Sequence, residues 1–347
     1  MFPESRITWI YYIVSEVMTV VMPRKIIREV GVMGLCADTI GLFDMHCDTL
    51  YRAYTEKSTL FNDSFHISYN KTSSISPYIQ CLAVWIPDEY RGNAARELFF
   101  GCVGKLREQL DGSDIVWCKT ADDIKFVEDN KRRGIILTAE GGAVLGGDIS
   151  ALREIYDVGV RMMTLTWNGR NELGDGIGEN ADGGLTEFGI ECVHEMEKLG
   201  MIIDVSHAGE KLFWDVADNT TKPFVASHSN IRVCAPHKRN LTDEQFRCLM
   251  DRGGITGLNF CAEFLNKNKT NAQMYDIIRH TEYFLSLGGK NNIAMGADFD
   301  GADIPHDISG IDSMPELYEL FLKHFTEDIA NAVFFGNAYR FFTDNLR

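Results

Sequence analysis

From about residue 40 onward, short apolar runs alternate with longer stretches in which apolar residues return every three or four positions. The first pattern is that of buried strands and the second that of amphipathic helices. Eight main runs, near 40–46, 78–85, 134–140, 160–166, 201–207, 223–228, 254–260 and 292–298, predict strands, and 114–118 predicts a short extra one. Helical periodicity covers 93–110, 121–131, 148–157, 186–199, 209–218, 242–251, 271–287 and segments after 314, while the glycine-rich stretch 168–184 predicts a loop. The helix at 242–251 opens on Thr242-Asp243-Glu244, acidic in its first turn as a helix N-terminus prefers. Eight apolar strands separated by helices point to an α/β chain folded as a closed (β/α)8 barrel of the TIM type. An open doubly wound sheet is the alternative that pattern alone does not separate. No Pro/Gly/Ser-rich linker divides the chain, so residues 39–347 are read as one domain and 1–38 as an N-terminal extension.

Composition narrows the class. The chain has 347 residues, 45% hydrophobic and 24% charged, without a low-complexity tract, as a globular protein does. Its formal net charge of −16 repels nucleic acid and acidic membrane surfaces, which leaves a small molecule as the expected partner. Nine scattered cysteines without a CxxC pair fit reduced thiols in the cytoplasm. Residues 8–22 are apolar, but Glu16 interrupts them and the run is too short to span a bilayer. Only Arg6 precedes the run and Pro23-Arg24-Lys25 follows it, unlike a signal peptide. An added helix, or an extension ahead of a start at Met22 or Met33, is expected there, and the C-terminus carries no lipid-anchor tail.

Candidate chemistry sits where the strands end. In Phe43-Asp44-Met45-His46-Cys47-Asp48-Thr49, strand alternation puts His46 and Asp48 on one face, about 6–7 Å apart, and turns Cys47 the other way as a packed thiol. An imidazole beside a carboxylate suits zinc, although a solvated strand end would look the same. Glu140, His207, His228 and Asp298 likewise stand at or just beyond the C-terminal ends of predicted strands, the edge at which such barrels carry active sites. His207 and His228 lie 21 residues apart, one strand–helix–strand repeat, which brings both imidazoles to neighbouring positions on one rim. Five candidate ligands, His46, Asp48, Glu140, His207 and His228, match two metals better than one, with Glu140 able to bridge. Two zinc ions about 3.5–4 Å apart can hold a hydroxide at neutral pH. Asp298 is then the candidate proton carrier, Asp300 a turn cap, and Arg239 either a clamp for a substrate carboxylate or a solvated loop charge.

These residues fall in motifs that resemble the membrane (renal) dipeptidase family of zinc peptidases, within the amidohydrolase-type barrels. The resemblance runs from about Gly41 to Phe342. It passes through D-x-H-x-D (Asp44, His46, Asp48), AEGG (Ala139 to Gly142), LTWN (Leu165 to Asn168), DVSH (Asp204 to His207) and SHSN (Ser227 to Asn230). It continues through RN (Arg239, Asn240), NF (Asn259, Phe260), GADFDG (Gly296 to Gly301) and a closing GNAYRFF. It implies two zinc ions per chain, one on His46 and Asp48, one on His207 and His228, bridged by Glu140, with Glu140 and Asp298 as the catalytic groups. It also implies Arg239 on the C-terminal carboxylate of a dipeptide, with Trp167 and Asn259 beside the substrate. Two departures stand out: the family's best-known members have a histidine, thought to polarise the substrate carbonyl, where this chain has Trp167, and often an aromatic where it has Cys261. The expected activity is hydrolysis of free dipeptides by a metal-bridging hydroxide. Alternatives are a binuclear zinc amidohydrolase of lactams, cyclic amides or N-acyl amino acids, and a non-catalytic metal- or peptide-binding homologue. The oligomeric state entertained is a homodimer.

Overall fold

The computed structural model describes residues 39–181 and 183–347, so the expectations for residues 1–38, their role as an extension and the helix at 8–22, lie outside the described residues. The named strands are β1 (Ile40–Asp44), β2 (Ile75–Trp85), β3 (Ile115–Trp117), β4 (Arg133–Glu140), β5 (Val160–Thr164), β6 (Ile202–Asp204), β7 (Thr256–Leu258) and β8 (Ile293–Met295). All their pairings are parallel, in the order β6-β5-β4-β2-β1-β8-β7, with β3 beside the N-terminal half of β4. Two single bridges, Asp204 to Val225 and Ala226 to Thr256, join the ends of that order and close the ring. The protein is therefore a (β/α)8 barrel whose sixth stave is residues 225–226.

The sixth stave is shorter than the 223–228 run because side chains replace its backbone partners. The Ser227 N–H donates to Asp204 Oδ1 at 2.8 Å and the His228 N–H to Ser206 Oγ at 3.1 Å. Strand alternation assigns the two faces. On β4, Ile136 and Glu140 face the barrel axis, whereas Ile135, Leu137 and Ala139 pack under the surrounding helices. Ile136 shares a core with Ile79, Met162, Val225 and Ala294, joined by Phe341 and Phe342 from the C-terminal helix Asn337–Asn345. Cys47 is buried, as alternation requires, and the eight described cysteines are free thiols.

Helical periodicity translates into helices within a few residues of its predicted limits, for example Gly92–Leu110 and Met274–Ser286. A seven-residue helix, Thr49–Thr55, follows the His-x-Asp motif and was not evident in the pattern, being two turns long. Among the described residues no helix is long and apolar enough to cross a membrane.

Candidate metal centre

The parallel ring delivers every strand end to one rim, and there the predicted ligands converge. His46 Nε2 lies 3.4 Å from Asp48 Oδ2, 3.6 Å from Glu140 Oε2 and 3.8 Å from Asp298 Oδ1. The other oxygen of Glu140, Oε1, lies 3.0 Å from His207 Nε2 and 3.6 Å from His228 Nε2. One carboxylate thus faces two groups of donors with two different oxygens. All six side chains are buried or nearly so. His207 and Asp298 have φ of 66° and 61°, left-handed values that cost a side-chain-bearing residue energy and that gather at functional sites.

Hydrogen bonds set the orientation of two imidazoles. His207 Nδ1 meets Asn168 Oδ1 at 2.9 Å, and His228 Nδ1 meets Ser227 Oγ at 2.7 Å. The amide oxygen can only accept, so His207 carries its proton on Nδ1. Ser227 Oγ donates to Asp204 Oδ2 at 2.6 Å, which leaves it an acceptor for the Nδ1 proton of His228. Both Nε2 lone pairs therefore point at one another across 3.0 Å. Such an arrangement is repulsive unless a cation lies between or beside them.

Electrostatics agree. Burial first, and then the Arg239 and His46 charges, push His207 and His228 well below the usual imidazole range, so both stay neutral as ligands must. Burial opposes protonation of His46 too, but Glu140, Asp48 and Asp298 outweigh it and push that ring up to about 10. Burial drives Glu140 well above the carboxylate range and Asp298 up to about 6. The excess of carboxylates calls for positive charge. His46 Nε2 and Asp48 Oδ1 are buried without a hydrogen-bond partner, and His46 with Glu140 and His228, or with Asp48 and Asp298, brings ligand atoms close enough for one ion. Imidazole and carboxylate donors in this mixture fit zinc.

Other predicted residues fall into place around this centre. Asn259 is fully buried and donates Nδ2–H to Asp298 Oδ2 at 3.1 Å and to the His228 carbonyl at 3.2 Å. It lies beneath the site and holds Asp298, and neither it nor Arg239 is among the residues that line the cavity. Arg239 is buried behind His228, donating to Ser229 Oγ and the His228 carbonyl at 3.3 Å each. Its Nε has no partner, and no carboxylate among the described residues forms an ion pair with it. Trp167 faces a cavity of about 340 Å³ above the ligands, walled also by Tyr51, Trp85, Asn168, Cys261, Glu263, Phe264, Lys269 and Asp303. Asp300 does more than cap a turn. Its fully buried carboxylate accepts from Thr49 Oγ1, Arg52 Nη1 and the His66 and Ile67 N–H groups, tying two parts of the long connection after β1 to the loop after β8.

Sequence reasoning missed the groups behind the ligands: Asn168, Asp204, Ser206 and Ser227. Each lies within a quoted motif, LTWN, DVSH or SHSN, but only contacts reveal its task. Tyr51 and Trp85 carried no signal, being ordinary aromatic positions in a helix and a strand.

The profile of membrane dipeptidases, peptidase family M19, matches residues 34–345. The chain belongs to the membrane dipeptidase family. Among solved structures, a metallopeptidase from Rhodobacter sphaeroides, liganded with a phosphinate mimic of the dipeptide L-Ala-D-Ala, superposes with a TM-score of 0.83 at 26% identity, over 89% of this chain and 100% of that one. An uncharacterized protein of the pqqA 5′ region of Klebsiella pneumoniae is 35% identical over 209 residues, 58% of this chain and 77% of that protein. An uncharacterized dipeptidase of Schizosaccharomyces pombe is 32% identical over 231 residues, 62% of this chain and 55% of that protein. Membership of the membrane dipeptidase family places the protein among metal-dependent peptidases of this barrel type.

Proposed function

We propose that this member of the membrane dipeptidase family is a zinc dipeptidase that holds two ions, one on His46 and Asp48 and one on His207 and His228, with Glu140 shared. The observation carrying this reading is the split of Glu140, Oε2 toward His46 and Oε1 toward His207 and His228. Ions held there would supply hydroxide at neutral pH and an electrophile for the scissile carbonyl oxygen.

The chain's own groups supply the rest. Arg239, buried and with no carboxylate of the described residues within ion-pair distance, receives the free carboxylate of the dipeptide, and its planar fork suits two parallel hydrogen bonds. That carboxylate sets the register of the substrate, so the scissile carbonyl rests over the ligand cluster. Asp298 Oδ2 is held by Asn259, which leaves Oδ1, 3.8 Å from His46 Nε2, free to take a proton and pass it to the leaving amine. Glu140 keeps the two halves of the cluster in fixed relation. Trp167 walls the cavity and keeps water from the carbonyl; its indole has a donor but no charge, so it is a weak oxyanion partner. The free thiols fit a reducing compartment, the cytoplasm.

Metal analysis of purified and zinc-reconstituted protein, with a panel of free dipeptides, C-terminally amidated dipeptides, lactams and N-acyl amino acids, tests the proposal. Two zinc per chain and hydrolysis confined to free dipeptides is the expected outcome. Zinc-loaded protein that cleaves lactams or N-acyl amino acids instead would transfer the same centre to another amide.

A further inference from the structure

We infer that the cavity wall formed by Tyr51, Trp85 and Trp167 selects dipeptides whose N-terminal residue bears an aromatic or large apolar side chain. The inference rests on the dipeptidase reading and on Arg239 as the carboxylate site.

The three rings form a continuous edge-packed row. The Tyr51 and Trp85 centroids lie 5.0 Å apart with planes at 69°, and those of Trp85 and Trp167 lie 4.9 Å apart at 64°. The row reaches the metal-side cluster, where Trp167 is 6.2 Å from the His207 ring. Each ring is only half-buried, so part of its apolar face is open to the cavity. Covering such a face with a flat apolar group is favourable, and edge-to-face partners hold the rings ready for it.

Each ring is carried on a braced stretch of backbone. Trp85 ends β2 and is paired with Glu140 across the sheet. Tyr51 rides on the helix Thr49–Thr55, which Asp300 grips through Thr49 Oγ1 at 2.6 Å and Arg52 Nη1 at 3.0 Å. The backbone that carries Trp167 is packed so closely against Gly176 that a Cβ there would come within 2.1 Å of the Trp167 carbonyl oxygen. Side chains that bring charge to the cavity mouth, Glu263, Lys269 and Asp303, belong instead to the loops after β7 and β8.

Ring order decides which substrate residue meets the aromatic row. Arg239 follows the sixth stave and contacts the His228 carbonyl and Ser229, with Phe264 of the next loop 5.4 Å from its guanidinium. Tyr51, Trp85 and Trp167 follow the first, second and fourth staves of the ring, the second being diametrically opposite the sixth. With the C-terminal carboxylate at Arg239 and the scissile carbonyl over the cluster, the N-terminal residue extends toward the row.

The test compares Phe-Ala, Leu-Ala and Gly-Ala with Ala-Phe and Ala-Gly. It uses kcat/KM on zinc-loaded protein and calorimetric binding to chelator-treated protein. Phe-Ala should exceed Gly-Ala by at least about tenfold in both, with a smaller gain for Ala-Phe over Ala-Gly. Trp167→Ala and Tyr51→Ala should each collapse the Phe-Ala to Gly-Ala ratio; because the ratio is internal, a general loss of activity does not obscure it. If Trp167→Ala does not fold by circular dichroism, Tyr51→Ala decides. Equal Phe-Ala and Gly-Ala values, an unchanged ratio in a folded variant, or a gain confined to Ala-Phe overturns the inference. Selective binding of Phe-Ala without hydrolysis of any dipeptide keeps the wall and removes the peptidase reading; hydrolysis without preference does the reverse.

Discussion

His207 and His228 present their Nε2 atoms to each other across 3.0 Å, each with its opposite nitrogen already engaged by a neighbour. For His228 that neighbour is Ser227, which passes the influence of the buried Asp204 carboxylate to the ring. Ser227→Ala breaks the link without touching a ligand. Its zinc affinity, measured by chelator competition, should fall about 10–100-fold, with stoichiometry kept at saturating zinc. Unaltered affinity would mean that the His228 tautomer is set by something else.

Asp298 touches Asn259 through Oδ2 and leaves Oδ1 toward His46. Asp298→Asn retains the shape but cannot accept the proton. A fall in kcat of about 10²–10⁴ with little change in KM and full zinc content is expected from steady-state kinetics and metal analysis. Loss of zinc instead would make Asp298 a ligand rather than a proton carrier.

Arg239 is a buried cation whose Nε lacks any partner. Arg239→Ala should raise KM for free dipeptides by roughly tenfold or more, since a paired, charge-assisted contact is removed. Amidated dipeptides should be little affected. Equal effects on both would refute the carboxylate clamp.

His280 gives a pH signature away from the centre. It is fully buried, with Nδ1 accepting from the Ile231 N–H at 3.2 Å and Nε2–H donating to the Leu265 carbonyl at 3.0 Å. Burial lowers it to about 4 from 6.5, so the unfolded chain binds the proton more readily than the folded one. This group's contribution is complete above about pH 6.5 and is lost as pH falls toward 4, amounting to about 3 kcal/mol. Denaturant titrations across that range should show a shallower decline for His280→Gln than for the unaltered protein. Parallel declines would place the acid sensitivity elsewhere.

The barrel and the gathering of the candidate ligands at one rim were legible in the sequence for one physical reason. Period-2 and period-3.6 patterns are local, and in a parallel ring every strand end reaches the same rim, so chemistry written at strand ends is automatically gathered. His46, Asp48, Glu140, His207 and His228 could therefore be named without coordinates as candidates that meet in space. What only the tertiary structure decided depends on contacts between residues distant in the chain. The Asp204 and Ser206 side chains replace the backbone pairing of the sixth stave; Asn259 lies beneath Asp298 and holds it; Asp300 reaches back 234 positions to His66. The aromatic row of Tyr51, Trp85 and Trp167 belongs to this second kind, because three separate staves supply its members and only the curvature of the closed ring sets them edge to edge.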